Sequence, residues 1–218
     1  MAMTITGIVG APQASVPPGT SPPAGARMIN TQELGMSEVH GRYYESTYRG
    51  GRFAGGMQAP IANALQVGLT TASVGGLCLF NPNGSNVNAV VEKVSWALIL
   101  AQTTAGWLGI GVGQSTAALS GTLTSVNPRS RKIGSGIQPV CNLVSSATFT
   151  LPVAPTLDTI IGQYGTAATT VPMVQPANNF DFEGGLILPP GAFALFVANY
   201  AMVASSYLFG FQWEEVPA

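Results

Sequence analysis

"LILPPGAFALFVANYAMVA", residues 186–204, holds no charged side chain, and the charges nearest to it are Glu183 and Glu214. Such a run is either a membrane span or the interior of a packed protein. A spanning helix needs about 20 apolar residues without a strong break. Pro189-Pro190-Gly191 stops a helix three residues in, and Asn199 interrupts the remainder. The unbroken part, "AFALFVA", is too short to cross as a helix. The stretch therefore reads as a strand, the turn "LPPG" and a second strand, both buried because both faces meet other protein.

The neighbouring sequence has the same character from residue 60 onward. "NAVVEKVSWALILAQ" (88–102) alternates, which would point Val90, Glu92, Val94, Trp96 and Leu98 one way and Val91, Lys93, Ser95, Ala97 and Ile99 the other. Asn83-Gly84 before it supplies the positive φ of a tight hairpin, joining "LCLF" to this strand. "WLGIGVG" (107–113) is expected as its partner, and "SATFTLPVAP" (146–155) as another strand closed by prolines. "YLFGFQWEEV" (207–216) places Phe209, Phe211 and Trp213 on one face, with Gly210, Gln212 and Glu214 opposite. Many short strands with Pro/Gly turns predict an all-β fold, an antiparallel β-sandwich. The turn-rich middle "TLTSVNPRSRKIGSGIQP" (122–139) suits crossovers between sheets and favours the jelly-roll type.

Only 17 of 218 side chains are charged, 8 basic and 9 acidic, against the quarter expected of an ordinary globular chain. With 46% apolar residues the chain is not disordered by composition. A surface so poor in charge is expected to be covered by other chains, because interface cores are depleted of charge. The net charge of −1 gives no long-range attraction to nucleic acid or to an anionic membrane. Arg129, Arg131 and Lys132 form the one tight basic group and read as a solvated loop. Cys78 and Cys141 lack metal or redox spacing and read as buried thiols, with a disulfide left open. "MAMTITGIVGAPQ" lacks a basic n-region and a long apolar core, so synthesis in a cytosol is expected.

Two regions precede the body. Residues 1–26 carry no charge and five prolines, which predicts an extended arm. Residues 27–52 hold seven of the charges and the only histidine, His40. Within "HGRYYESTYRGGRF" (40–53), arginines interleave with aromatics, the residue types favoured at binding hot spots. Arg42, Tyr43, Tyr44, Tyr48, Arg49, Arg52 and Phe53 are the candidate docking residues. The expected division is an arm and docking collar over 1–59 and a sandwich domain over 60–218.

The search for chemistry yields no active site. A Ser-His-Asp triad would have to recruit His40, and no GxSxG occurs. "GIGVGQST" (109–116) has no lysine before Ser115 and is read as a glycine-rich strand, not a phosphate loop. Asp181 and Glu183 would share a strand face about 6–7 Å apart, the spacing of a glycosidase pair or of half a calcium site. Two solvated charges, or ion partners for arginine, are the preferred reading. Glu214 and Glu215 point to opposite faces and form no pair. No cofactor and no metal is expected, and the chain reads as a non-enzyme.

"GRYYESTYRGGRFAGG" (41–56), "GLCLFNPNG" (76–84) and the ending "GGLILPPGAFALFVANY…FQWEEVP" (184–217) together resemble the virion structural proteins of tailed bacteriophages. The resemblance is one of pattern, over roughly residues 40–218. It implies a capsid cement or decoration protein, a homo-oligomer with a trimer preferred over a dimer. Its N-terminal segment would dock on the major capsid protein, at the virion surface. The competing expectation is a head- or tail-attached spike or fibre module recognising a host glycan or receptor. The absence of coiled-coil heptads after the arm counts against a long fibre shaft.

Overall fold

The computed structural model describes residues 43–58, 66–67, 69–71, 74–99, 104–121, 123–164, 178–200 and 207–218. The chain divides into two compact units, residues 1–49 and 50–218. The expected arm over 1–26 and the collar residues Arg42 and His40 lie outside the described residues. Of the first unit the described part is one short helix, α1 (Tyr44–Arg49), with Tyr43 before it.

The second unit is all-β. A five-stranded sheet has the order β11 (Asn178–Leu188), β4 (Val87–Leu98), β13 (Tyr207–Pro217), β1 (Arg52–Gly56), β8 (Arg129–Ser130). A second sheet runs β10 (Thr156–Tyr164), β5 (Gly106–Gln114), β12 (Ala192–Ala198), β3 (Val74–Phe80), β9 (Asn142–Thr150), β6 (Ser120–Gly121), with β2 (Gln66–Val67) beside β12 and β7 (Thr124–Ser125) beside β9. Among the described residues all pairings are antiparallel except β12 with β2. The antiparallel β-sandwich expected from the sequence is present. Its first strand, β1, falls within the expected collar but belongs to the sheet, so the body begins at Gly50 rather than at residue 60.

The quoted stretch takes the predicted form of strand, turn and strand. β11 ends at Leu188, and the Ala192 N–H closes a turn on Pro189 O at 2.9 Å. Pro190 and Gly191, with φ +81°, occupy the central positions that a type II turn gives to proline and glycine. The two strands then part, because β11 pairs in the first sheet and β12 in the second. All seven residues of β12 are buried. Ala192, Ala194, Phe196 and Ala198 face the core between the sheets. Phe193, Leu195 and Val197 face a second cluster with Leu119, Phe149 and Leu151 on the sheet's far side. The protein meeting both faces of β12 is thus this chain itself. β11, by contrast, alternates and keeps one face exposed, so the expectation of burial on both faces fails for it.

The glycines of β5 make room for this second cluster. A Cβ on Gly113 would lie 2.5 Å from the Phe193 ring, and one on Gly111 2.9 Å from Val197. The between-sheet core is dominated by aromatics. Trp213, Phe211 and Phe196 are fully buried, and Phe196 stacks on Phe209 with centroids 4.1 Å apart. Each such side chain stabilises the fold by about 1.5–3 kcal/mol relative to exposure.

Two expectations of pairing are corrected. The "NPNGSN" turn joins no hairpin: β3 lies in one sheet and β4 in the other, so Asn83-Gly84 turns a corner between sheets. Likewise "WLGIGVG" (β5) pairs with β10 and β12, not with β4. Nor does β4 alternate throughout. Gln212 faces Lys93 while Trp213 faces Val91, which makes Glu92 the extra residue of a bulge. The core side therefore switches from Ala89 and Val91 to Val94 and Trp96.

Asn81 locks the sheet-crossing corner. Its amide donates to Val87 O (2.8 Å) and Leu188 O (2.9 Å), and its carbonyl oxygen accepts from Ser85 Oγ. Its main chain bonds Ala192 O and Gly191 N, each at 2.9 Å. One fully buried side chain thus joins the β3–β4 corner to the β11–β12 corner.

Candidate functional site

The collar residues separate into two groups. In α1, Tyr44 and Tyr48 stand one turn apart, and their rings stack with centroids 5.9 Å apart. Both are exposed, Tyr48 at 59%. Beside them Arg49 Nε donates to Glu45 Oε1 at 2.7 Å. That pair is more than half exposed and contributes only about 0.3–0.5 kcal/mol. The result is a short helix carrying an exposed aromatic pair next to an ordered guanidinium, the kind of surface that anchors protein contacts. Tyr43 caps its start through a main-chain bond, Thr47 N–H to Tyr43 O at 3.1 Å. The helical form of this segment is not among the expectations from sequence.

Arg52 and Phe53 belong elsewhere. Phe53 lies in the between-sheet core, 5.9 Å from Trp213 by ring centroids. Arg52 points to the other face and forms a buried ion pair with the bulged Glu92, its Nε donating at 2.7 Å. A second guanidinium N–H, on the terminal nitrogen, reaches the same oxygen. Both residues are therefore withdrawn from the expected docking set: one fills the core, the other neutralises a buried carboxylate. Glu214 sits opposite Arg52 in the β1–β13 register. Burial, then the Glu92 charge, holds the Glu214 carboxyl above its ordinary pKa, and Arg52 offsets part of this.

The carboxylates considered for catalysis are not arranged as a pair on a regular strand. Between Asp181 and Leu186 the register with β4 breaks, and Glu183 (φ +53°) and Gly184 (φ +80°) form an outward insert. Asp181 accepts the Glu183 N–H at 2.9 Å and lies 3.7 Å from Lys93 Nζ. Glu215 is structural: it accepts the N–H groups of Val140 (2.9 Å) and Cys141 (2.8 Å) and the Trp213 indole at 3.2 Å. Among the described residues no cluster of His, Cys, Asp and Glu could hold a metal ion, and no helix is long and apolar enough to cross a membrane.

The two cysteines are free thiols in different clusters, Cys78 on the far side of the second sheet and Cys141 between the sheets. Burial raises both pKa values, and for Cys141 the Glu215 charge adds to it.

A broad trough of about 410 Å³ lies on β1, β4 and β13, floored by Ala54, Gly56, Ser95, Ala97 and Gly210. Its closeness to the backbone is set by Gly210, where a Cβ would meet Ser95 Oγ at 2.7 Å. Ser95 and Gln212 bring polar groups to it, and none of its lining side chains is titratable. It can seat an extended or flat ligand through hydrogen bonds, and it has no group for proton transfer.

No family model, no curated protein and no solved structure matches this chain.

Proposed function

We propose that this chain is a non-enzymatic virion structural protein. It binds the outside of a tailed-bacteriophage capsid as a homo-oligomer and cements or decorates the shell. The observation that carries this reading is the exterior. A chain with 17 charged side chains leaves Ile133 (88% exposed), Ile187 and Ile99, together with the stacked Tyr44 and Tyr48, in water. Exposed apolar groups on so sparsely charged a surface fit burial against other copies and a larger particle. The finer jelly-roll assignment is supported by the passage of β3, β4 and β5, and again of β10, β11, β12 and β13, from sheet to sheet. The capsid contact is assigned to the collar, now reduced to Arg42, Tyr43, Tyr44, Tyr48 and Arg49. Burying the tyrosine pair and Arg49 in a pocket of the major capsid protein would supply the anchor. A protein of this kind stabilises the shell state that it binds best.

The test is co-sedimentation with capsids that lack the protein. Wild type should pellet saturably, and a Tyr44→Ser/Tyr48→Ser/Arg49→Ala variant should stay in the supernatant with an unchanged melting curve. Undiminished binding by the variant would remove the collar from the contact. The trough on the five-stranded sheet, with Ser95 and Gln212 at its surface, favours the spike reading as the second one. Inhibition of host adsorption by the purified protein, without capsid binding, would favour it.

A further inference from the structure

The outward face of the five-stranded sheet carries two cross-strand rows set by the strand register. In the first, Asp181, Lys93, Gln212, Ala54 and Arg129 stand side by side on β11, β4, β13, β1 and β8. In the second, Asn179, Ser95, Gly210 and Gly56 do the same on the first four of these strands. Their neighbours in sequence, such as Phe53, Val94, Trp96, Phe209 and Phe211, belong to the between-sheet core, so these residues point away from it. The trough on β1, β13 and β4 follows both rows. Its depth comes from missing side chains. A Cβ on Gly210 would meet Ser95 Oγ at 2.7 Å, and one on Gly56 would meet Phe209 O at 3.0 Å.

Along these rows the chemistry is neutral hydrogen bonding with a cation at one end. Ser95 brings a hydroxyl and Gln212 a carboxamide to the trough, and Asn179 sets a second carboxamide beyond Ser95. Lys93 lies 3.7 Å from Asp181 Oδ2, which offsets its charge. Arg129, at the far end, is exposed and among the described residues enters no ion pair. It is one strand, about 5 Å, from the trough floor at Ala54. The main chains of β4 and β13 are paired on both sides, so an extended peptide on this face finds no ladder to join. A saccharide suits it better. Flat ring faces can rest on Ala54, Gly56 and Gly210, while hydroxyls both donate to and accept from Ser95, Gln212 and Asn179. A carboxylate on the sugar would meet Arg129 in the bidentate geometry that guanidinium favours. The volume of about 410 Å³ falls within the range of small-molecule sites.

We propose that this trough binds an acidic oligosaccharide, its rings lying across β1, β13 and β4 and a carboxylate held by Arg129. The inference rests on the second reading above, the spike module, and gives that reading its ligand class. It is independent of shell binding.

The experiment is isothermal titration calorimetry on the full chain. Trigalacturonate and a sialic acid trimer serve as acidic probes, maltotriose as the neutral one and triglutamate as an acidic peptide. At least one acidic trimer should bind saturably, roughly tenfold or more tighter than maltotriose, and triglutamate should not bind. Arg129→Gln should remove the advantage of the acidic trimer and leave maltotriose as it was. Salt at about 0.5 M should narrow the same gap, because surface charges are screened over a few ångströms there. Ala97→Tyr fills the trough with a residue that strands favour, and it should abolish binding with an unchanged melting curve. Should that variant unfold, Gln212→Met keeps the bulk, removes the amide and should weaken the acidic trimer about fivefold. No heat from either acidic trimer at millimolar concentration, equal affinity for triglutamate, or a folded Arg129→Gln that still prefers the acidic trimer would each overturn the proposal. Trimer binding without inhibition of host adsorption would leave it standing and remove the spike reading instead; inhibited adsorption without trimer binding would do the reverse.

Discussion

Asn81→Ala offers the sharpest probe of how the sheets are joined. The substitution removes the amide donor from the part-buried Val87 carbonyl and from the buried Leu188 carbonyl, and takes one of two acceptors from Ser85. A buried polar group stripped of its partner costs about 1–3 kcal/mol, less where water reaches it. Ser85 also donates to Val87 O, so the buried Leu188 carbonyl dominates and the cost is about 1–3 kcal/mol. For a chain of this size that corresponds to a melting point lower by about 2–12 °C. Asn81→Asp should fall at least as far above neutral pH, since it sets a carboxylate against the same two carbonyls. The assay is thermal unfolding by circular dichroism, with urea titration as a second measure. A melting point within about 1 °C of wild type for Asn81→Ala would refute the idea that this amide ties the two corners together.

Gly191→Ala should destabilise by more than the ~1–2 kcal/mol of a left-handed alanine, because its Cβ would also lie 2.5 Å from Ser115 O; chemical denaturation measures it. Both thiols should resist an aromatic disulfide reagent in the folded protein and react fully in denaturant, as expected of buried groups with raised pKa values. Glu214 has a raised folded pKa, so its contribution is fully present below the unfolded carboxylate range and is lost as pH rises through the folded value. Glu214→Gln should therefore raise the melting point at pH 7–8, with the gain shrinking toward pH 4.

The features legible in the sequence are local. The alternation of Phe209, Phe211 and Trp213, the break at Pro189–Gly191 and the glycine strand at 109–113 each depend on neighbours along the chain, and each appears in the fold. The expectations that fail depend on residues far apart in sequence. Asn83-Gly84 looks the same whether it closes a hairpin or turns a corner; the difference is set by Asn81 reaching Leu188, 107 residues away. The bulge at Glu92 is visible only against Trp213 and Gln212. Arg52 reads as a surface cation because its partner lies 40 residues further on. In the candidate site, the Arg-Tyr composition of the collar marks Tyr44, Tyr48 and Arg49, and the four-residue spacing of the tyrosines is the signal that could have revealed the helix. The basic loop reads as solvated, since its sequence carries no sign of Ile133 being held outward at a sheet edge.

The central claim is that this protein exists to coat a larger particle. Electron cryomicroscopy of capsids incubated with the purified chain tests it directly. Ordered extra density on the outer shell is the predicted result, with the α1 tyrosines contacting the major capsid protein. Bare capsids at saturating protein, with the chain instead bound to host cells or remaining monomeric in solution, would contradict it.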